Sequence, residues 1–120
     1  MRFKIKNGTL IECNVESKVK EILIPKQVKN IEKGAFRWCD DITRIIIQEN
    51  VTNIDENVFY GCKNLINIDI SSRNSKYASI DGVLFSKDCK TLIYCPRGKS
   101  GNYTIPKDVT SIREGAFSGL

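Results

Sequence analysis

With 120 residues, of which 41% are hydrophobic and 28% charged, the chain has the size and balance of one soluble domain, not of a fibrous or disordered polymer. No window approaches the ~18 consecutive apolar residues of a spanning helix, and the start holds no apolar run of signal-peptide length. The net charge of +5 invites a nucleic-acid reading, whereas five cysteines without a histidine do not supply the paired ligand spacings of a zinc site.

Residues 1–23 set Phe3 and Ile5 before Asn7-Gly8 and Leu10 after it, which predicts a β-hairpin. From there the chain repeats itself about every 23 residues, the mark of a solenoid, and the hairpin is its expected N-terminal cap. Ile22/Ile24, Ile45/Ile47 and Ile68/Ile70 have period two and predict short strands with those side chains inward and Leu23, Ile46 and Asp69 outward. Val28/Ile31 and Val51/Ile54 follow as a turn and a second extended piece. Glu32 to Cys39 and Asp55 to Cys62 bring Ala35-Phe36 and Val58-Phe59 inside. Cysteine three residues after phenylalanine predicts one or two turns of helix, with the acidic residue at its start favouring the dipole.

Residues 71–104 leave the period. Asp81-Gly82 opens a predicted hairpin with Val83-Leu84-Phe85 and Leu92-Ile93-Tyr94-Cys95 as strands, Ile93 and Cys95 inward and Tyr94 outward. Arg97 to Gly101 reads as a flexible basic connector, since it lacks the glycine spacing of a phosphate loop. Residues 105–120 begin a further unit at Ile105-Pro106, and the predicted strand Tyr103–Ile105 with Ala116 and Phe117 leaves an open edge.

The pattern Ile24-Pro-x-x-Val28-x-x-Ile31-x-x-x-Ala35-Phe36-x-x-Cys39-x-x-Ile42-x-x-Ile45 resembles the BspA-like leucine-rich repeats, and the resemblance covers most of residues 22–70 and 105–120. It implies an α+β solenoid, a short right-handed leucine-rich-repeat array of strand, turn and short-helix units. One domain, 1–120, would hold the cap (1–23), two regular repeats (24–70), an irregular hairpin-bearing unit (71–104) and a partial repeat (105–120). Three departures stand out: Gln48 in place of proline, Trp38 where Gly61 and Gly119 are small, and Leu120 where cysteine belongs. The resemblance implies an interaction or adhesion module, often bacterial and at the cell surface, not an enzyme.

The repeat columns argue against nucleic acid. Lys26 falls beside Glu49, Lys33 beside Glu56 and Asp40 beside Lys63, which predicts ion pairs between units instead of a basic stripe. Cys39 and Cys62 share one apolar slot, and Cys89 and Cys95 read as free thiols. Nothing calls for a cofactor or a metal. The adjacent acidic pair Asp40-Asp41 reads as a solvated turn, so no acid–base chemistry is placed.

Three surfaces are candidates for a protein or peptide partner. The outward strand residues form a predicted ladder of Glu21, Arg44, Asn67 and Asn102 beside Leu23, Ile46, Asp69 and Thr104, with Tyr94 added. The helix side offers Arg37, Trp38 and Tyr60, where Arg37 and Tyr60 share a column suited to stacking and Trp38 is expected to pack against the hairpin. The open edge at Tyr103, Ile105, Ala116, Phe117 and Leu120 is a candidate for self-association. As written the sequence predicts a cytoplasmic chain; as part of a longer family member it would be cell-surface or secreted.

Overall fold

The computed structural model describes residues 2–16, 18–99 and 103–117. Strands β1 (Arg2–Lys6) and β2 (Thr9–Asn14) form the predicted antiparallel hairpin. Asn7 and Gly8 make its turn at φ 52° and 79°, the paired left-handed conformations that asparagine and glycine tolerate best.

Two parallel sheets grow from this start. Strands β3 (Glu21–Leu23), β5 (Arg44–Ile47) and β7 (Asn67–Ile70) make one ladder. Its register places Ile22, Ile45 and Ile68 in a line, all buried. The two-residue strands β4 (Asn30–Ile31) and β6 (Asn53–Ile54) continue from β2, in the order β1-β2-β4-β6. The chain therefore winds as a solenoid whose turns stack Ile on Ile, Phe36 on Phe59 at 5.7 Å and Cys39 beside Cys62. Burying each such Ile or Phe side chain is worth about 1.5–3 kcal/mol, so these columns outweigh any surface pair.

The predicted short helices do not form; the described residues contain none. In their place run turns closed three residues apart: the Ala35 amide donates to the Glu32 carbonyl, Arg37 to Gly34 and Cys39 to Phe36, and Cys62 to Phe59 in the next rung. Cysteine three places after phenylalanine satisfies such a turn as well as a helix. Asn57 stands at φ 57°, which no right-handed helix accommodates.

Strands β8 (Tyr77–Ile80), β9 (Val83–Ser86) and β10 (Thr91–Tyr94) form an antiparallel meander, and β11 (Ser111–Ile112) lies parallel to β10. Asp81-Gly82 is the turn between β8 and β9, so the predicted hairpin is β9–β10 with one more strand before it. The strand expected at Tyr103–Ile105 is absent; in this unit the strand among the described residues is the second extended piece, Ser111–Ile112, which pairs with β10 as β4 pairs with β2.

The meander closes both parallel sheets. The outer edge of β6 gives its Ile54 amide to the Tyr77 hydroxyl at 2.9 Å. The outer edge of β7 gives its Ile68 amide to the Gly82 carbonyl and its Ile70 amide to Ser79 Oγ, each at 2.9 Å. Between them Asn74, wholly buried, donates to the Gln48 and Val51 carbonyls and accepts from the Lys76 and Tyr77 amides.

The hairpin also occurs twice. Thr9-Leu10-Ile11-Glu12-Cys13 returns as Thr91-Leu92-Ile93-Tyr94-Cys95. Leu10 pairs with Ile31 as Leu92 pairs with Ile112, and Cys13 donates to the Ala35 carbonyl as Cys95 donates to that of Ala116. Leu10 also faces Ile5 and Glu12 faces Lys4 across a bulge, as Leu92 faces Phe85 and Tyr94 faces Leu84.

Replacing Asn74 with alanine strands two carbonyls and two amides in a site too tight for free solvation. The expected loss is about 2–4 kcal/mol by urea denaturation. Stability within about 0.5 kcal/mol of the parent would show that Asn74 does not hold the junction.

Candidate functional site

The strand ladder holds the predicted columns as far as β7. Glu21, Arg44 and Asn67 are in register, as are Leu23, Ile46 and Asp69. Arg44 binds Asp69 at 2.5 Å and Glu21 at 3.4 Å. The hydrogen bond that Arg44 donates to Asp69, then the charge of that carboxylate, raises the guanidinium further above its ordinary range. The charges of this face thus satisfy one another, leaving Leu23, 57% exposed, as its apolar point. Thr104 is exposed but outside the ladder, which the β8–β9 turn closes at β7; Asn102 lies outside the described residues.

Tyr94 belongs to the core, contrary to the expected outward direction. Pairing with Leu84 across the bulge turns it inward, where its ring tilts against Phe59 at 5.3 Å. Burial pushes its hydroxyl up to about 12, and among the described residues that hydroxyl is the buried side-chain polar atom with no partner.

The turns make the larger feature, an open groove of about 930 Å³ lined by Arg37, Trp38 and Tyr60. Lys4 and Glu12 of the hairpin form one wall, and Arg97 closes the far end. Trp38 is 75% exposed and Tyr60 63%, so Trp38 does not pack against the hairpin as expected but faces it across the groove. The reason lies one rung on. Trp38 aligns with Gly61, where a Cβ would fall 2.5 Å from the Phe36 carbonyl oxygen and 2.6 Å from that of Arg37. A rung stacked on its predecessor admits only glycine there; beside the bare hairpin there is room for an indole.

Arg97, not Arg37, sits over the Tyr60 ring, 6.0 Å from its centre. The loop read as a flexible connector holds it there, through the Gly98 amide bound to the Leu65 carbonyl at 2.6 Å and through Arg97 Nη1 on the Tyr60 carbonyl. No periodic signal pairs Arg97 with Tyr60, because they come from the irregular and the regular part of the chain. The guanidinium of Arg37 lies over Gly34 instead. Of the predicted ion pairs, Asp40–Lys63 forms at 3.9 Å, Glu49 takes Arg73 at 3.8 Å in place of Lys26, and Lys33 reaches Asp55 through its backbone amide.

The residues matched by the BspA type leucine rich repeat region run from 4 to 119, in six copies. The chain belongs to this family. Its fold is similar to a leucine-rich repeat protein from Eubacterium ventriosum, at TM-score 0.71 and 27% identity over 83% of this chain and 27% of that one. It is also similar to the pneumococcal vaccine antigen PcpA, at 0.65 and 25% identity over 83% of this chain and 31% of that one. A leucine rich cell surface protein from Faecalibacterium prausnitzii matches at 0.50 and 26% identity, over 76% and 30%. This BspA-type array therefore spans under a third of each solved structure it matches. No curated protein matches it.

The chemistry open to the array is modest. The five cysteines are free thiols. Burial pushes Cys13 up to about 12, and the Cys39 hydrogen bond together with burial raises Cys62, so at neutral pH these thiols carry no nucleophilic charge. No group of three or more His, Cys, Asp or Glu among the described residues is placed to hold a metal, and none of them forms a helix long and apolar enough to cross a membrane. At the far edge Ala116 is buried, Phe117 tilts against Tyr103 at 6.4 Å, and Ile105 stays exposed; Leu120 lies outside the described residues.

Removing the Tyr94 hydroxyl separates its ring from its unmet polar atom. Tyr94→Phe is expected to hold or raise stability by up to about 1 kcal/mol, while Tyr94→Ala loses about 3–5 kcal/mol. A clear loss in the phenylalanine variant, measured by thermal or urea melts, would reveal a hydrogen bond to that hydroxyl.

Proposed function

We propose that the chain is a non-enzymatic protein-interaction module whose binding surface is the groove at Arg37, Trp38 and Tyr60. The observation that carries this reading is the pair of exposed aromatic rings on neighbouring rungs in one groove, flanked by guanidinium groups. Tryptophan, tyrosine and arginine dominate binding hot spots, the two aromatics because they bury large area with few rotors to freeze and arginine because its planar guanidinium both stacks and hydrogen-bonds. The strand ladder of Glu21, Leu23, Arg44, Ile46, Asn67 and Asp69 is the weaker surface, since its charges already bind one another. That one structural neighbour is a cell surface protein supports a cell-surface setting for this reading.

Selection of a random peptide display library on the intact chain supplies binders for the test. Trp38→Ala and Tyr60→Ala are each expected to weaken them at least about tenfold, with the melting point unchanged. Binders indifferent to both substitutions would place the surface elsewhere.

A second reading, self-association through the last strand, rests on Ile112. Its counterparts Ile31 and Ile54 are covered by neighbouring chain, whereas Ile112 is 49% exposed on β11. Together with Tyr103, Ile105 and Phe117 it would form the contact, with the buried Ala116 beneath them. Light scattering across a concentration series is expected to show reversible dimers that Ile112→Lys abolishes; a monomer at every concentration removes this reading.

A further inference from the structure

The duplicated hairpin gives the groove a template for its occupant. On the second copy, Ile93 and Tyr94 with Arg113, Glu114 and Gly115 pack against the turn Ile54–Phe59 of the preceding rung, around a residual space of about 20 Å³. Phe59 lies on Tyr94, and Asn57 Oδ1 is 2.7 Å from where a Gly115 Cβ would stand. The equivalents on the first hairpin are Ile11, Glu12, Glu32, Lys33 and Gly34, and all five line the open groove. The surface that seats an acidic turn at one hairpin thus lines the open groove at the other.

The side chains differ in a way that defines what fits. Leu84 and Tyr94, both buried where they receive Phe59, are replaced by Lys4 and Glu12, so the first hairpin has no apolar seat for a phenylalanine. The groove gathers five cations, Lys4, Lys33, Arg37, Lys63 and Arg97, against the carboxylates of Glu12, Glu32 and Asp40. The side chains of Lys4, Lys33 and Arg37 have no ion-pair partner among the described residues. Apolar contact is displaced outward to Trp38 and Tyr60.

We propose that the groove receives an acidic turn of a partner protein, seated as Ile54–Phe59 sits on the second hairpin, with its carboxylates among Lys4, Lys33 and Arg37 and an apolar side chain against Trp38. This rests on the groove being the interaction surface and adds the chemistry of the partner. Complementary charge would steer the encounter and fix the orientation, and apolar contact with the indole would hold it.

The chain carries one tryptophan, so the emission of Trp38 reports on the groove directly. The probe is a cyclised heptapeptide Ile-Asp-Glu-Asn-Val-Phe-Tyr, closed to keep its turn, titrated into the intact chain at low salt. The expected result is a saturable emission shift with Kd below about 1 mM, at least about tenfold weaker when Asn and Gln replace the peptide's Asp and Glu. The same loss is expected with Arg37→Glu in the chain, or with Lys4→Glu should that variant not fold. No saturable shift, or equal binding of the charged and neutral peptides, overturns the acidic occupant. Should the peptide fail while library binders still depend on Trp38 and Tyr60, the interaction reading stands and only the acidic partner falls.

Discussion

Parallel pairing leaves every strand with one satisfied edge and one open edge, and the whole molecule depends on how those open edges are closed. Each rung passes its unpaired amides to the next, so stacking alone never ends the problem. Here the closure is made by side chains as well as backbone. The Tyr77 hydroxyl, Ser79 Oγ and the Gly82 carbonyl each accept an edge amide, and Asn74 takes the carbonyls that face the same junction. One irregular unit thus terminates two sheets at once, which is why it cannot follow the rung period.

Having ended two sheets, the same unit begins another. The hairpin β9–β10 carries β11 as the hairpin β1–β2 carries β4, with matching amide bonds and a matching bulge. What differs is the outer face. At β9–β10, packed on the turn Ile54–Phe59, the bulge pair is Leu84 and Tyr94; at β1–β2 it is Lys4 and Glu12. Apolar contact is kept only where there is a core to join, and the orphaned Tyr94 hydroxyl is the cost of filling that junction with a large ring.

Legibility in the sequence follows the same division. The Ile columns, the Asn7-Gly8 turn and the in-register cysteines could be read because stacking demands the same residue at the same interval. The helix prediction failed at Asn57, whose left-handed backbone three-residue spacing cannot reveal. The inward turn of Tyr94 depends on a bulge, which shifts the alternation that a period-two reading assumes. Arg97 over Tyr60 joins two parts of the chain that share no interval. The recurrence of Thr-Leu-Ile-x-Cys was present throughout, but at a distance that is no multiple of the rung, so a search by period passes over it.

The candidate site lies where the first regular rung meets the hairpin β1–β2. Gly61 shows that a rung in the stack admits no side chain at this position, because the carbonyls of Phe36 and Arg37 press against it. Trp38 occupies the same position beside a hairpin too narrow to cover it, and so an aromatic ring that the repeat forbids elsewhere becomes possible at the boundary. Lys33 and Arg37 stand exposed in the same groove. A rung packed on this hairpin as Ile54–Phe59 packs on β9–β10 would cover the groove, so stacking and an exposed indole compete for the same face of the hairpin.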